Sequence, residues 1–453
     1  MRALLSGFAA LPIPVAVAAQ SFNHAELALF RALKRQPNAL ARYTYLSDVM
    51  PSLSPVEQRL ALQLFASAES ELGLYDQAIL AFPLKSRIPP DVALPTAAGW
   101  RARDAVQVIT RLAADRRIVM INEAHHNAHT RVLTLALLPR LRALGFNYFA
   151  AEALTDDPNL MHRGYPVNAS GTEYLHEPLY GDIVRAAIQL GFTVVSYDAG
   201  GGSTQARETA QAENLYRKVV ASDPGARLFV HAGYAHIDKA RGRLGPVAPM
   251  AMQLQKLTGH DPLSIDQTEF LQDTPSPSGP YGQLVDRFHP ESPVVLLHRG
   301  DGKPWSDQPA LYDLNVILPP SVSLDSFGDE SLYGTRLDSK TLLLRDTTRF
   351  SFITPNLNFL RRPAWLALDR QRSPYPISTS LCRTTVPCVV EAQYLDEATD
   401  AVAADRYAFL KPNGASKLYL RPGGYRLRAR GVDSKTLSRK IIRIAETRPS
   451  AEP

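Results

Sequence analysis

Apolar residues recur at helical spacing through the first part of the chain, then gather into short runs separated by helical stretches, and finally alternate with polar residues between turns. Residues 22 to about 90 read as helical: 25–33 keeps a helical period, and 55–74 has no Gly or Pro after Pro55 until Gly73. The next region alternates. Short apolar strands are expected at 117–122, 148–151, 193–197, 227–231 and 263–265, with helices at 130–144, 177–190, 207–221 and 250–257 between them. Gly145 and Gly191 close two of those helices, and Pro139 is expected to kink the first. Residues 294–298 and 312–318 read as further strands of the same domain, after a loop at 274–282 built from Thr, Pro, Ser, Gly and Tyr. From about 340 the runs 389–395, 417–420 and 425–429 alternate with Gly, Pro and Asp turns, which predicts a small antiparallel sandwich or barrel. Buried strands separated by helices predict an α/β fold: a mostly parallel sheet with helices on both faces, preceded by a small helical module and followed by a small β-rich domain.

The corresponding boundaries are a signal peptide at 1–19, a helical module at 20–90, the α/β domain at 96–320 and a β-rich domain at 340–446. Within the first module, 66–83 has the form of one tetratricopeptide-type helical hairpin around Leu72-Gly73-Leu74-Tyr75. A single copy cannot form a solenoid, so it is expected to cap or dock, offering a protein partner a surface either there or on the β-rich domain. A linker with Pro89, Pro90 and Pro95 spans 86–98, and the terminal residues 449–453 are expected to be loose.

Composition changes this picture little. The 453 residues suffice for two or three domains, and 50 Lys and Arg against 44 Asp and Glu leave a net charge of +6 with no basic run, so no nucleic-acid footprint is visible. The amino terminus adds more: Arg2, an apolar stretch broken by Pro12 and Pro14, and Val17-Ala18-Ala19 before Gln20 read as a secretion signal. No later stretch is apolar for long enough to predict a transmembrane segment, so the expected location is periplasmic or secreted. Cys382 and Cys388, the only cysteines, could close a local disulfide loop or stay reduced.

Candidate chemistry lies at the carboxyl ends of the strands, where an α/β sheet gathers its loops into one crevice. The first strand leaves at Glu123, His125 and His126; the second at Glu152; the third at Tyr197 and Asp198; the fourth at His231, with Tyr234 and His236 beyond. Glu123, His126, Glu152 and His236 form the strongest joint set. A His–Glu pair can activate water for attack on an acyl carbon, with another His or Tyr stabilising the oxyanion. The same donor types also suit a divalent metal, for which His125, His126, Glu152 and His236 are the candidates. No Gly-x-Ser-x-Gly elbow is present, and Gly200-Gly201-Gly202-Ser203 matches neither dinucleotide nor P-loop patterns.

Four segments, Ile118-Val-Met-Ile-Asn-Glu-Ala-His-His126, Phe149-Ala-Ala-Glu152, Arg207-Glu-Thr-Ala-Gln-Ala-Glu-Asn214 and Val230-His-Ala-Gly-Tyr-Ala-His-Ile237, together resemble the erythromycin esterase-like superfamily. That grouping also takes in haem-binding iron-uptake (ChaN-like) proteins and Tiki-type metalloproteases. The resemblance covers about residues 100–270 and implies His126 as water-activating base, Glu123 as its neighbouring acid, Glu152 as the second-strand glutamate, and His231 and His236 as the late histidine motif. It further implies Arg207 and Asn214 pointing into the cleft, where His125, Tyr197 and Tyr234 would also meet substrate. The family's usual Gly before the first glutamate is Asn122 here, and the haem-uptake and Tiki branches place their histidine at His125. The expected function is an exported hydrolase acting on a small-molecule ester or related bond. The alternatives are a haem or iron-binding uptake protein, with His125 or His231 and Tyr234 as ligands, and a Tiki-like metalloprotease.

Overall fold

Strand parity decides the architecture, because successive residues of a strand face opposite sides of the sheet. The computed structural model describes residues 24–84, 88, 92–200, 202–273, 279–321 and 362–446. The signal at 1–19, Pro89 and Pro90 of the linker, Gly201, residues 274–278 of the loop, 340–361 of the β-rich region and 449–453 lie outside them. Eight strands form the main sheet: β1 (Trp100–Asp104), β2 (Ile118–Glu123), β3 (Tyr148–Ala151), β4 (Thr193–Ser196), β5 (Leu228–Gly233), β6 (Leu263–Asp266), β7 (Val294–His298) and β8 (Leu314–Ile317). Their order is β1-β7-β8-β6-β2-β5-β3-β4. From β8 to β4 every pairing is parallel, while β7 and β1 close one edge antiparallel.

In β2, Val119 and Ile121 pack on one face with α5 (Ala105–Ala113), α6 (His129–Ala143) and α8 (Pro178–Gln189). Ile118 and Met120 pack on the other with α9 (Thr204–Leu215) and α10 (Met250–Thr258). Helices therefore cover both faces, as the near-continuous apolar strands imply. α6 runs through Pro139 as one helix. The sequence gives little sign of β1, because Arg101, Arg103 and Asp104 interrupt its apolar pattern; charged residues suit a sheet edge, where they discourage further pairing. The loop expected at 279–282 is instead the start of α11 (Gly279–Phe288): Pro280 falls in the first turn, where a missing N–H breaks no helical bond.

The two ends of the chain build a second unit together. α1 (His24–Lys34), α2 (Ala39–Val49), α3 (Pro55–Glu71) and α4 (Tyr75–Ala81) make up the helical start. The β-rich end holds β9 (Ser373–Ser378), β10 (Cys388–Tyr394), β11 (Asp405–Phe409), β12 (Ala415–Leu420), β13 (Gly423–Gly431) and β14 (Thr436–Ile444). Its strands pair antiparallel in a four-stranded sheet, β11-β10-β13-β14, and a two-stranded one, β12-β9. Leu40, Phe65 and Leu72 of the helices share one core with Val390, Tyr407, Leu418, Tyr425 and Leu427 of both sheets. A side chain on Gly73 would collide with the Arg406 carbonyl oxygen, 2.1 Å from where its Cβ would sit, so the α3–α4 turn needs glycine to lie against β11. The helical module's apolar face is thus covered from within the chain. Cys382 and Cys388 form a disulfide. Across the boundary between the units, Arg185 of α8 makes two hydrogen bonds of 2.6 and 2.5 Å to Glu397.

Candidate functional site

Register brings the candidate residues together. Glu123 ends β2 directly opposite Gly233, which ends β5, and the Glu152 backbone N–H donates to the carbonyl of His231 one strand over. Parity then separates the two carboxylates. Glu123 shares the face of Val119 and Ile121 and points toward α6 and α8, whereas Glu152 follows Ala151 onto the opposite side, toward α9.

Glu123 is buried and fully engaged. Its Oε1 lies 2.7 Å from Nδ1 of His125, and its Oε2 accepts from Nε of Arg131 at 2.8 Å. Burial alone would raise its pKa, but Arg131 and then His125 outweigh that and hold it at about 2. A carboxylate on Nδ1 fixes the proton there and leaves Nε2 of His125 as the basic nitrogen. Nε2 has no protein partner among the described residues, and it lies 2.7 Å from the point where a Cβ on Gly233 would sit. Oε2 of Glu152 lies 3.1 Å from that same point, so His125 and Glu152 face one another across a position that only glycine leaves open. Tyr174 stacks on the His125 ring with centroids 4.0 Å apart, and Tyr234 meets it edge-on at 5.2 Å.

Glu152 accepts from the Gly233 N–H at 2.5 Å and from Nη2 of Arg207 at 2.6 Å. Burial opposes its charge, but His236 and Arg207 pull its pKa well below the usual carboxylate range. Arg207 also donates from Nε to Asp198 at 3.0 Å, which leaves Nη1 without a protein acceptor among the described residues. His236 sits between two carboxylates, with Nε2 3.3 Å from Glu152 and Nδ1 2.7 Å from Glu208. Both are ion-pair contacts; the Glu208 contact is close but not aligned as a hydrogen bond. Burial disfavours its charge, yet Glu208 and then Glu152 raise it to about 10, so it is an imidazolium at neutral pH.

These contacts change several expectations. The residue paired with Glu123 is His125, not His126; the short turn in which the Asn127 N–H bonds the Ala124 carbonyl folds the His125 ring back onto Glu123. His126 instead stacks on Phe82 with centroids 3.6 Å apart, and its Nδ1 lies 3.3 Å from the Tyr234 hydroxyl. His231 points under the sheet toward Tyr180 and is wholly enclosed, and burial holds it neutral with a pKa of about 4. Neither catalysis nor haem ligation is open to it. His236, a cation clasped by two carboxylates, can neither accept a proton nor polarise a substrate. Tyr197 is buried with its hydroxyl on the His231 carbonyl, and Asn214 donates to the Tyr197 carbonyl, so both brace the strand exits and do not line a cleft.

Of the metal candidates, His236 lies between Glu152 and Glu208, Glu152 accepts from Arg207 and a backbone N–H, and His126 lies against Phe82. Among the described residues no group of three or more His, Cys, Asp or Glu side chains is arranged to hold a metal ion. Asn122, standing where the resembled family has glycine, bonds the Tyr234 carbonyl, Asp266 and Thr268 and so ties β2 to the exits of β5 and β6.

Sequence reading missed Arg131, Glu177, Glu208 and Tyr174. Arg131 heads the buried stripe Arg131, Thr134, Leu138 and Leu141 of α6, and a charge on an apolar stripe is the signal that was there to be read. Glu177 caps α8 by accepting from the Tyr180 N–H, and Glu208 lies on the buried stripe of α9 with Ala212 and Leu215.

No family model and no curated protein matches the chain. One solved structure, that of the type III effector HopBA1, aligns with 39% of this chain and 87% of its own at 15% sequence identity and a TM-score of 0.26, a likeness too slight to bear on function. Among the described residues no helix is long and apolar enough to cross a membrane.

Proposed function

We propose that this protein is an exported hydrolase that cleaves an ester or related acyl bond, with His125 as general base and Glu123 as the carboxylate that orients it. The observation that carries this reading is the Glu123–His125 pair: Nδ1 is committed to a buried carboxylate at 2.7 Å, and Nε2 faces the strand exits without a protein partner among the described residues. A water beside Nε2 gives it a proton as the oxygen attacks the acyl carbon. The resulting oxyanion is stabilised by Nη1 of Arg207. Collapse breaks the bond to the leaving oxygen, which takes the proton back from Nε2. Glu152 orients Arg207, and the Tyr234 hydroxyl stands beside His126.

The motif resemblance is to a superfamily that includes esterases and names no substrate; its esterase branch places the base at His126, and its haem-uptake and Tiki branches place their histidine at His125. Of the haem-ligand candidates His231 is enclosed, and among the described residues no group of three or more His, Cys, Asp or Glu side chains is arranged to hold a metal ion. The test is hydrolysis of a panel of aryl esters and lactones by the purified full chain. His125→Gln should lower turnover by about 10²- to 10⁴-fold, the usual contribution of a general base, with a smaller loss for His126→Gln. Unchanged turnover in His125→Gln, or no hydrolysis across the panel, overturns the proposal.

A further inference from the structure

The second unit reaches into this site through both ends of α4. At its start the Tyr75 hydroxyl donates to Oε1 of Glu177 at 2.7 Å, and Oε2 of Glu177 accepts from Nη1 of Arg131 at 2.9 Å. Nε of Arg131 donates to Glu123 at 2.8 Å, and Glu123 holds Nδ1 of His125 at 2.7 Å. Every link is buried. At its other end, one residue past the helix, Phe82 lies flat on the His126 ring, with 3° between the planes. Tyr75 is itself anchored in the second unit: its ring packs against Arg362, which makes two hydrogen bonds to Asp405 of β11.

A simpler account would have Tyr75 merely satisfying a buried hydroxyl on a helix-capping glutamate. Arg131 argues for more. One guanidinium with 0% side-chain exposure is shared between two carboxylates, so whatever draws it toward Glu177 weakens its hold on Glu123. That division sets how strongly Glu123 accepts the Nδ1 proton, because hydrogen bonds in a buried chain polarise one another.

We propose that Tyr75 and Glu177 are positioning residues through which the unit formed by the chain's two ends tunes the Glu123–His125 pair. The proposal rests on the reading of His125 as base, but its test does not use catalysis. Proton NMR of the full chain at pH 7 should show a far-downfield imidazole Nδ1–H resonance of His125, told apart from any resonance of His236 by its loss in His125→Gln. In Glu177→Gln, Arg131 commits to Glu123 alone, Glu123 becomes a weaker acceptor, and the resonance moves upfield. In Tyr75→Phe, Glu177 loses its neutral donor and pulls harder on Arg131, which frees Glu123 and moves the resonance downfield.

Opposite displacements are the signature, since a merely structural loosening would move both the same way. Shifts in one direction, no shift in either folded variant, or no such resonance in the parent would each overturn the proposal. Should Glu177→Gln fail to fold, Tyr75→Phe, which keeps the ring in place, decides alone by moving the resonance downfield or not. A resonance that behaves as expected in a chain with no acyl hydrolysis sinks the hydrolase reading and leaves the relay standing; the reverse result does the opposite.

Discussion

Replacing Arg131 by methionine removes the one charge, among the described residues, that both Glu123 and Glu177 contact directly while roughly keeping the side chain's volume. Glu123 has 2% side-chain exposure, so little solvent screening takes over when the guanidinium is gone. In the native protein its pKa falls from the ordinary 4.5 to about 2, and at 1.36 kcal/mol per pH unit that difference is about 3 kcal/mol of stability. Because the folded value is depressed, this stability is fully present above pH 4.5 and is lost as pH falls toward 2. Breaking a buried pair by deleting one partner costs about 3–5 kcal/mol, so Arg131→Met should lose that much at pH 7. The loss should shrink by pH 4, where the stranded carboxylates of the variant take up protons while native Glu123 is still ionised. Urea unfolding followed by tryptophan fluorescence reports on the α/β domain through Trp100 and Trp305 and on the segment packed against Tyr75 and His129 through Trp365, and it should be run on both proteins at pH 7 and pH 4. A loss under about 1 kcal/mol at pH 7, or a loss of equal size at both pH values, would refute the reasoning that Arg131 neutralises a buried pair of carboxylates.

Two further outcomes follow from the same contacts. His236→Gln removes an imidazolium whose pKa is raised from 6.5 to about 10, so the native protein's stability advantage should be full below pH 6.5 and disappear as pH rises through 10. Thermal unfolding of both proteins from pH 6 to 10.5 measures it, and a pH-independent gap would contradict the clasp between Glu152 and Glu208. Gly233→Ala would place a methyl group 2.5 Å from Cε1 of His125, forcing the imidazole off its position at a cost of about 1–3 kcal/mol. Hydrolysis should fall by about 10²-fold with little change in circular dichroism, since a displacement near 1 Å is enough to spoil a base; full activity would mean that His125 is not the group that acts.

Much of the fold was legible in the chain itself. Residues 148–151 and 294–298 form strands with the expected bounds, and the other expected strands of the α/β domain differ by no more than two residues at either end, because runs of apolar β-branched residues between turn signals leave few alternatives. The neighbourhood of the site was legible too, since parallel strands all send their exits to one edge and so bring Glu123, Glu152 and the 231–236 segment together. What periodicity could not convey was which side chain each of these residues would meet.

That division has a physical basis. Local sequence determined the α/β order, most strands and helices of the α/β domain and the edge at which the chemistry gathers, because periodicity and turn chemistry act over a few residues at a time. Tertiary structure alone decided that His125 and not His126 takes Glu123, that His236 is clasped as a cation, and that His231 is sealed under the sheet. It also decided that the chain's two ends share one core, and that Tyr75, 50 positions before His125, stands at the far end of its hydrogen-bond chain. A carboxylate's partner and an imidazole's charge depend on which groups burial excludes from water. Burial is settled only when segments distant in sequence pack against one another.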